Sequence, residues 1–291
     1  MAAKLHPDVR NVMPPVELSR RELVVTALAS GFALAARPIN AASVITTDST
    51  GLTAGEIKIP TQDVALPGYR AMPAKGSGFP TVLVVQEVFG VHEHIKDLCR
   101  RLAKLGYFAI TAELYARQGD VHSVTDIKAL MPIVQSVPDA QVMSDLDACV
   151  AYVHASGKAN TSKLAITGFC WGGRIVWLYA AHNPELKAGA AWYGRVVGDP
   201  TELQPHSPLD VAGELKAPVI AFYGGKDRGI TPESVDQMRG ALENSKLKYE
   251  LVVFPDAEHG FNADYRSSYN AEDAKAAWQQ MLDWFKQFGA A

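Results

Sequence analysis

The residues best suited to chemistry begin with Gly168-Phe169-Cys170-Trp171-Gly172-Gly173, set between an apolar run, Leu164 to Phe169, and a helical pattern, Trp171 to His182. Glycine two positions before and two after the cysteine is the spacing of a nucleophile elbow, here with a thiol in place of a hydroxyl. An elbow holds its central residue in a strained strand-to-helix turn, and a side chain at either glycine would crowd it. The thiol is thereby presented at the edge of a sheet. The helix beginning behind it offers unpaired N–H groups and the positive end of its dipole, which favour a thiolate and a developing oxyanion. That is the chemistry of acyl transfer. Taken alone, the six residues fit an ordinary buried cysteine equally well, so the reading depends on partners elsewhere.

Two partners follow in chain order. Asp227 comes just after the apolar run Pro218 to Gly224, and His259 follows the run Tyr249 to Phe254. Catalytic groups of an open parallel sheet gather beyond the carboxyl ends of its strands, and the order nucleophile, acid, histidine is that of an α/β-hydrolase. In this reading His259 takes the thiol proton and returns it to the leaving group, while Asp227 fixes the imidazole tautomer. Singly, Asp227 also fits a turn or N-cap carboxylate and His259 a loop histidine. Three such residues at three strand ends argue for a site. Gln86-Glu87-Val88-Phe89-Gly90 closes the first long apolar run, where a loop can supply a second oxyanion-hole N–H, from Val88, to join that of Trp171. Glu87 interrupts an apolar strand end, so its charge needs a partner such as an arginine or the thiol itself.

The elements that must position these residues alternate regularly. Glu56 to Pro60 and Gly68 to Pro73 read as an edge hairpin. Thr81 to Val88, Tyr107 to Thr111, Leu164 to Phe169, Ala188 to Tyr193, Pro218 to Gly224 and Tyr249 to Phe254 are nearly continuous apolar stretches, predicted as parallel strands covered on both faces. Helical patterns separate most of them: His94 to Leu105, Val124 to Val134, Asp139 to Ala155, Trp171 to His182, Pro232 to Asn244 and Ala271 to Phe288. The expectation is an α/β fold with a mostly parallel central sheet, helices on both faces and right-handed crossovers. The residues between Tyr193 and Pro218 are too few for a large cap domain, which predicts an open mouth.

At this point the chain closely resembles the dienelactone hydrolase family, the carboxymethylenebutenolidase-like branch of the α/β-hydrolases. The resemblance rests on Gln86 to Gly90, Glu113-Leu114-Tyr115-Ala116-Arg117, Gly168 to Gly173, Asp227 and His259-Gly260-Phe261, and it covers about Ala54 to Phe288. It implies that Cys170, Asp227 and His259 form a triad, that Glu87 contacts the resting thiol, and that a lactone is opened through a thioester without metal or organic cofactor. The best-known members hold the substrate carboxylate with two arginines that have no evident counterpart here. Arg117, Arg195 and Arg266 are the possible substitutes, although a surface arginine is more often only solvated. A general esterase or thioesterase, or a silent small-molecule binder of the same fold, are the alternatives.

Composition sets the outer bounds. At 291 residues and 48% hydrophobic, with a formal charge of −3, the chain can bury a sizeable core and has no broad basic field for nucleic acid or an anionic membrane. The partner expected is a small lactone or ester, and the chain a monomer or small homo-oligomer. Three cysteines without zinc-type spacing indicate neither a disulfide framework nor a structural metal. His92-Glu93-His94 reads as a polar helix start rather than a metal site. Ser19-Arg20-Arg21 and the mostly apolar run Leu23 to Ala36 resemble a twin-arginine export signal, too short to span a bilayer comfortably. An amphipathic helix packed on the domain is the alternative. Residues 1–42 are therefore expected to be signal and linker, residues 43–291 the hydrolase-like domain, and the location periplasmic or secreted.

Overall fold

The computed structural model of the chain describes residues 44–291, apart from residues 123, 125 and 244. The arginine pair and apolar run read as an export signal lie outside the described residues. Eight strands form one sheet in the order β1-β2-β4-β3-β5-β6-β7-β8. They are β1 Leu52–Pro60, β2 Ala65–Pro73, β3 Phe79–Val85, β4 Phe108–Ala112, β5 Ala159–Phe169, β6 Ala188–Trp192, β7 Val219–Gly224 and β8 Tyr249–Phe254. Strand β2 runs antiparallel to both its neighbours, and the remaining pairs are parallel. The helices are α1 Glu93–Lys104, α2 Ile127–Gln135, α3 Asp139–Ala155, α4 Trp171–His182, α5 Pro232–Leu242 and α6 Ala271–Gln287. This is the α/β-hydrolase fold expected from the alternation of apolar runs and helical patterns.

The central parallel strands are mostly apolar where helices cover both faces. Every residue of β6 is buried. Gly189 lies against Val176 of α4, while Trp192, on the opposite pleat, has its ring 6.5 Å from that of Trp278 on α6. Asn270 caps α6 by accepting from the Asp273 amide at 3.2 Å, and Thr231 caps α5 immediately before Pro232. Between β6 and β7 the described chain holds a single 3-10 turn, Ala212–Glu214, and no large cap. No helix among the described residues is long and apolar enough to cross a membrane.

The structure departs from the sequence reading in several places; β1, β2 and β5, for example, begin earlier, at Leu52, Ala65 and Ala159. The first long strand stops at Val85 rather than Val88, because Glu87 and Gly90 pair across a tight turn, with the Gly90 amide on the Glu87 carbonyl at 3.3 Å. Helix α2 starts at Ile127 rather than Val124, after Asp126 caps it on the Lys128 amide. Strand β8 is an edge strand with only Leu251 fully buried, not one covered on both faces. Its apolar Val252 and Phe254 are half-buried, packed against the core from the margin of the sheet.

Register brings the strand ends together. Val85 of β3 lies beside Gly168 of β5, Phe169 beside Trp192 of β6, and Gly224 of β7 beside Phe254 of β8. The loops that follow these residues therefore share one edge of the sheet. The turn after β5 is packed backbone on backbone: a Cβ on Gly168 would overlap the Gly172 carbonyl oxygen, and one on Gly172 would lie 2.5 Å from that of Gln86. Gly172→Ala is therefore expected to lower the free energy of unfolding by about 2–4 kcal/mol. Gly240 in α5 has open space around it, so Gly240→Ala should raise stability by about 0.5–1 kcal/mol. Urea unfolding of the two variants checks both signs, and equal effects would refute the packing argument.

Candidate active site

Cys170 occupies the corner between β5 and α4 with φ 55° and ψ −116°, a conformation that L side chains rarely adopt. Its amide donates to the Trp192 carbonyl at 3.0 Å and its carbonyl accepts from Gly173 at 2.9 Å, so the corner is held from both sides. The residue is buried. Its neighbour across the sheet edge, Tyr193 after β6, also has a positive φ, 38°. A Cβ on Gly194 would overlap the Gly173 carbonyl carbon, so the two corners are in direct backbone contact.

The acid and the histidine come together as their order implied. His259 Nδ1 lies 2.8 Å from Asp227 Oδ2, with both side chains buried. Asp227 Oδ1 accepts from the amides of Gly229 and Ile230 at 2.8 and 3.0 Å, which leaves Oδ2 for the imidazole. The two loops are sewn to each other by Gly225 N–H to the Phe254 carbonyl and Lys226 N–H to the Ala257 carbonyl, at 2.7 and 2.9 Å. The other ring nitrogen, Nε2, is buried and has no hydrogen-bond partner among the described residues. With Nδ1 on the carboxylate as donor, Nε2 is the basic nitrogen.

Glu87 is fully buried. Its Oε2 accepts from the Tyr265 hydroxyl at 2.6 Å and lies 3.3 Å from His92 Nε2, while Oε1 has no hydrogen-bond partner among the described residues. Tyr265 and His92 thus engage the carboxylate, two partners that the family resemblance did not imply. Burial opposes ionisation of Glu87, but the hydrogen bond from His92 and the positive groups around it, Arg266 among them, outweigh burial and hold the carboxyl at about 2. Burial lowers the His92 imidazole, against the opposing pull of the Glu87 carboxylate beside it.

The three candidate arginines separate clearly. Arg117 is bound to Asp63 at 2.7 Å and to Asp145 at 2.8 Å and is committed to those ion pairs. Arg195 folds over Gly198, where a Cβ would lie 3.1 Å from its guanidinium carbon. Arg266 stands over Gly260, next to His259, with Nη1 2.6 Å from a Cβ position there, and its charge is felt by both Glu87 and Tyr193. Only Arg266 of the three is thereby placed beside the other candidate residues.

Sequence reasoning missed Tyr193, His92 and Tyr265 as members of the site. The Tyr193 ring meets His259 edge-on at 5.0 Å, and its hydroxyl is buried without a hydrogen-bond partner among the described residues. Burial and the charge of Glu87 raise its ionisation well above the ordinary tyrosine value, so it stays a neutral O–H donor. Its place two residues ahead of Arg195, at a strand end, was the available signal. His92 read as a helix start, and it does precede α1 as the N-cap residue without making a side-chain cap.

The sequence model of the dienelactone hydrolase family matches residues 66–289. This chain belongs to the dienelactone hydrolase family. The hydrolase is 59% identical to a protein of Methylorubrum extorquens named "Putative carboxymethylenebutenolidase", over 98% of each chain. It is 50% identical to a protein of the same name from Escherichia coli K12, over 91% of this chain and 98% of that one. A crystal structure of a "Putative Dienelactone Hydrolase" from Klebsiella pneumoniae superposes with a TM-score of 0.79 at 52% identity, covering 81% of this chain and 99% of the other.

The ionisation of Glu87 has a measurable consequence for the hydrolase. A carboxyl lowered from 4.5 to about 2 on folding contributes stability that is present above about pH 4.5 and lost as pH falls toward about 2. Glu87→Gln and His92→Phe should both flatten the pH dependence of the unfolding free energy in that window. Denaturant titrations at several pH values measure it, and slopes equal to the wild type's would show that His92 does not hold the carboxylate.

Proposed function

We propose that this hydrolase opens a lactone, or cleaves a small carboxylic ester, through a Cys170–His259–Asp227 triad and an acyl-thioester. The observation that carries the reading is the Asp227-bound His259, its Nε2 open, on the same sheet edge as a cysteine in the strained corner between β5 and α4. His259 Nε2 accepts the thiol proton and the sulfur attacks the carbonyl carbon. The carbonyl oxygen becomes an oxyanion facing the N–H groups of Val88 and Trp171, neither of which is used by a loop, turn or cap backbone bond among the described residues. Collapse breaks the ester C–O bond, and His259 returns its proton to the departing oxygen. In a lactone that oxygen stays on the acyl chain. Water, deprotonated by His259, then cleaves the thioester and regenerates the thiol.

Acid recognition falls to Arg266 in this proposal, and Tyr193 offers a neutral O–H beside the base. The names carried by the relatives, carboxymethylenebutenolidase and dienelactone hydrolase, support a lactone that carries a carboxylate. The open connection between β6 and β7 supports a small substrate that needs no cap to enclose it.

A panel of lactones and aryl esters tested against wild type, Cys170→Ala and His259→Ala is the decisive experiment. Each variant should lose at least about a thousandfold in kcat, non-additively when combined, because the residues act as one unit. Mass spectrometry of quenched wild type should show the acyl group on Cys170. Wild-type turnover in Cys170→Ala would end the proposal. Arg266→Met should raise KM about tenfold for an acidic lactone and leave a neutral ester nearly unchanged; equal effects on both would mean that packing, not charge recognition, was lost. We further propose export of the folded chain on the strength of Arg20-Arg21 and the apolar run behind it. The double variant Arg20→Lys, Arg21→Lys should then stay in the cytoplasm, and unchanged fractionation would remove the claim.

A further inference from the structure

The segment Glu113-Leu114-Tyr115 follows β4, two strands away from β5, whose end bears Cys170, yet three successive residues of it bond to the loop between β3 and α1. The Leu114 amide donates to the Gln86 side-chain carbonyl at 3.3 Å, and the Tyr115 hydroxyl to the Glu87 backbone carbonyl at 3.4 Å. Glu113 Oε2 accepts from the Val91 amide at 2.8 Å. These contacts fall on both sides of Val88, at the start and at the end of the turn that contains it. The chain between them, from Glu87 to Gly90, closes on itself through the Gly90 amide and the Glu87 carbonyl. The direction in which the Val88 N–H points is thus decided by where that turn is anchored.

Of the three, Glu113 is the one that brings a charged side chain to the loop, accepting from the Val91 amide. Its carboxylate lies against Gly90, where φ is 76° and a Cβ would come within 2.7 Å of Oε2 and 3.1 Å of Oε1. Glycine at 90 therefore serves two ends, the left-handed backbone and the approach of the carboxylate. The same Oε2 lies 2.9 Å from His122 Nε2, and His122 faces a cavity of about 450 Å³ lined also by Val91, Lys96 and Asp120. Glu113 itself is buried, whereas the His122 side chain is about half exposed. The one oxygen Oε2 thus meets both the imidazole and the loop amide, so the imidazole helps to fix the acceptor that holds the loop.

We propose that Glu113 is the positioning residue of the oxyanion loop: by holding the Val91 amide against Gly90 and being held in turn by His122, it sets the Val88 N–H toward the carbonyl of the substrate. Glu113 touches no reacting atom and acts through Val91 and Gly90. This inference rests on the Cys170 reading above, because an oxyanion forms only if the thiol attacks. It accounts for a motif, Glu113 to Arg117, that the triad leaves without a role. Within that motif Glu113, Leu114 and Tyr115 hold the loop, while Arg117 closes ion pairs to Asp63 and Asp145.

The test separates reach from charge. Glu113→Asp keeps the charge but shortens the side chain by one methylene, and Glu113→Gln keeps the reach, its carbonyl oxygen in the place of Oε2 able to accept from both the Val91 amide and a His122 Nε2–H. On a substrate that wild type turns over and Cys170→Ala does not, Glu113→Asp should lose about ten- to a hundredfold in kcat with KM within twofold, since one misplaced oxyanion donor is felt only in the transition state. Glu113→Gln should recover most of that loss. Inhibition by a trifluoromethyl ketone, whose thiol adduct carries an oxyanion, should weaken in Glu113→Asp in parallel with kcat. The rate at which iodoacetamide alkylates Cys170, a reaction that develops no oxyanion, should match wild type. Near-ultraviolet circular dichroism and Tm establish that both variants are folded. The inference is overturned if Glu113→Gln loses as much as Glu113→Asp, if ketone inhibition does not follow kcat, or if alkylation slows along with turnover. If wild type shows no Cys170-dependent turnover at all, the hydrolytic reading fails and takes this one with it; normal wild-type turnover with unaffected Glu113 variants defeats this one alone.

Discussion

Everything at the active edge depends on one close approach, the backbone of α4's first turn lying directly against the ends of β3 and β6. Gly172 sits under the carbonyls of Val85 and Gln86, and Gly173 under that of Trp192 and against Gly194. No side chain fits between them. The approach sets the first turn of α4 against the loop after Val85, and it goes with the positive φ of Cys170. A non-glycine residue so placed costs of order 1–3 kcal/mol and persists only where the surroundings over-determine it. Here two backbone hydrogen bonds and the glycine contacts do so, and the neighbouring corner at Tyr193 is strained in the same sense.

Charge is organised around that rigid edge so that the buried carboxylates among the described residues lie beside arginine or histidine partners. Asp264 lies 2.6 Å from Arg101 and 3.3 Å from His94, and Arg101 and Arg100 both bind Asp97, at 2.5 and 3.0 Å. These contacts tie the loop that carries His259 and Arg266 to α1. Burying such groups is costly, and removing one partner costs more than the pair contributes. The network is therefore better understood as a constraint on loop position than as a source of stability. On the opposite face Arg174 of α4 makes a two-pronged pair with Asp139 of α3, both oxygens at 2.7 Å, which fixes the helix whose first turn forms the elbow.

How much of this was legible in the sequence follows from which interactions are local. Apolar runs, helical periodicity and the glycines around Cys170 are short-range patterns, and the strand order at the catalytic edge follows from fold rules. Asp227 and His259 were readable because each lies within five residues of a strand end. The partners of Glu87 were not, since Tyr265 is 178 positions away and nothing near either residue signals the other. Arg117 illustrates the reverse error. It looked available because its partners Asp63 and Asp145 are distant in sequence, and tertiary pairing removed it. Val88 was placed in a strand because apolar character does not distinguish a strand from a buried loop; the Glu87–Gly90 turn is decided by the positive φ that glycine permits.

The absence of a large cap between β6 and β7 shifts two roles onto one loop. Residues 259–266 supply the base through His259 and, in the proposed function, substrate recognition through Arg266, while Tyr265 in the same loop holds Glu87. The coupling is built into Gly260, whose φ of 75° turns the chain and whose missing side chain leaves room for Arg266. A capped hydrolase can vary its cap without disturbing its histidine. Here a change in the recognising arginine shares a rigid backbone with the base, since the Ala263 and Arg266 amides bond back to the Gly260 and Ala263 carbonyls at 2.9 Å each. Substrate range in this architecture should consequently evolve more readily through side chains outside that loop, such as Tyr193 after β6, whose ring meets His259 edge-on, than through the loop that holds the histidine.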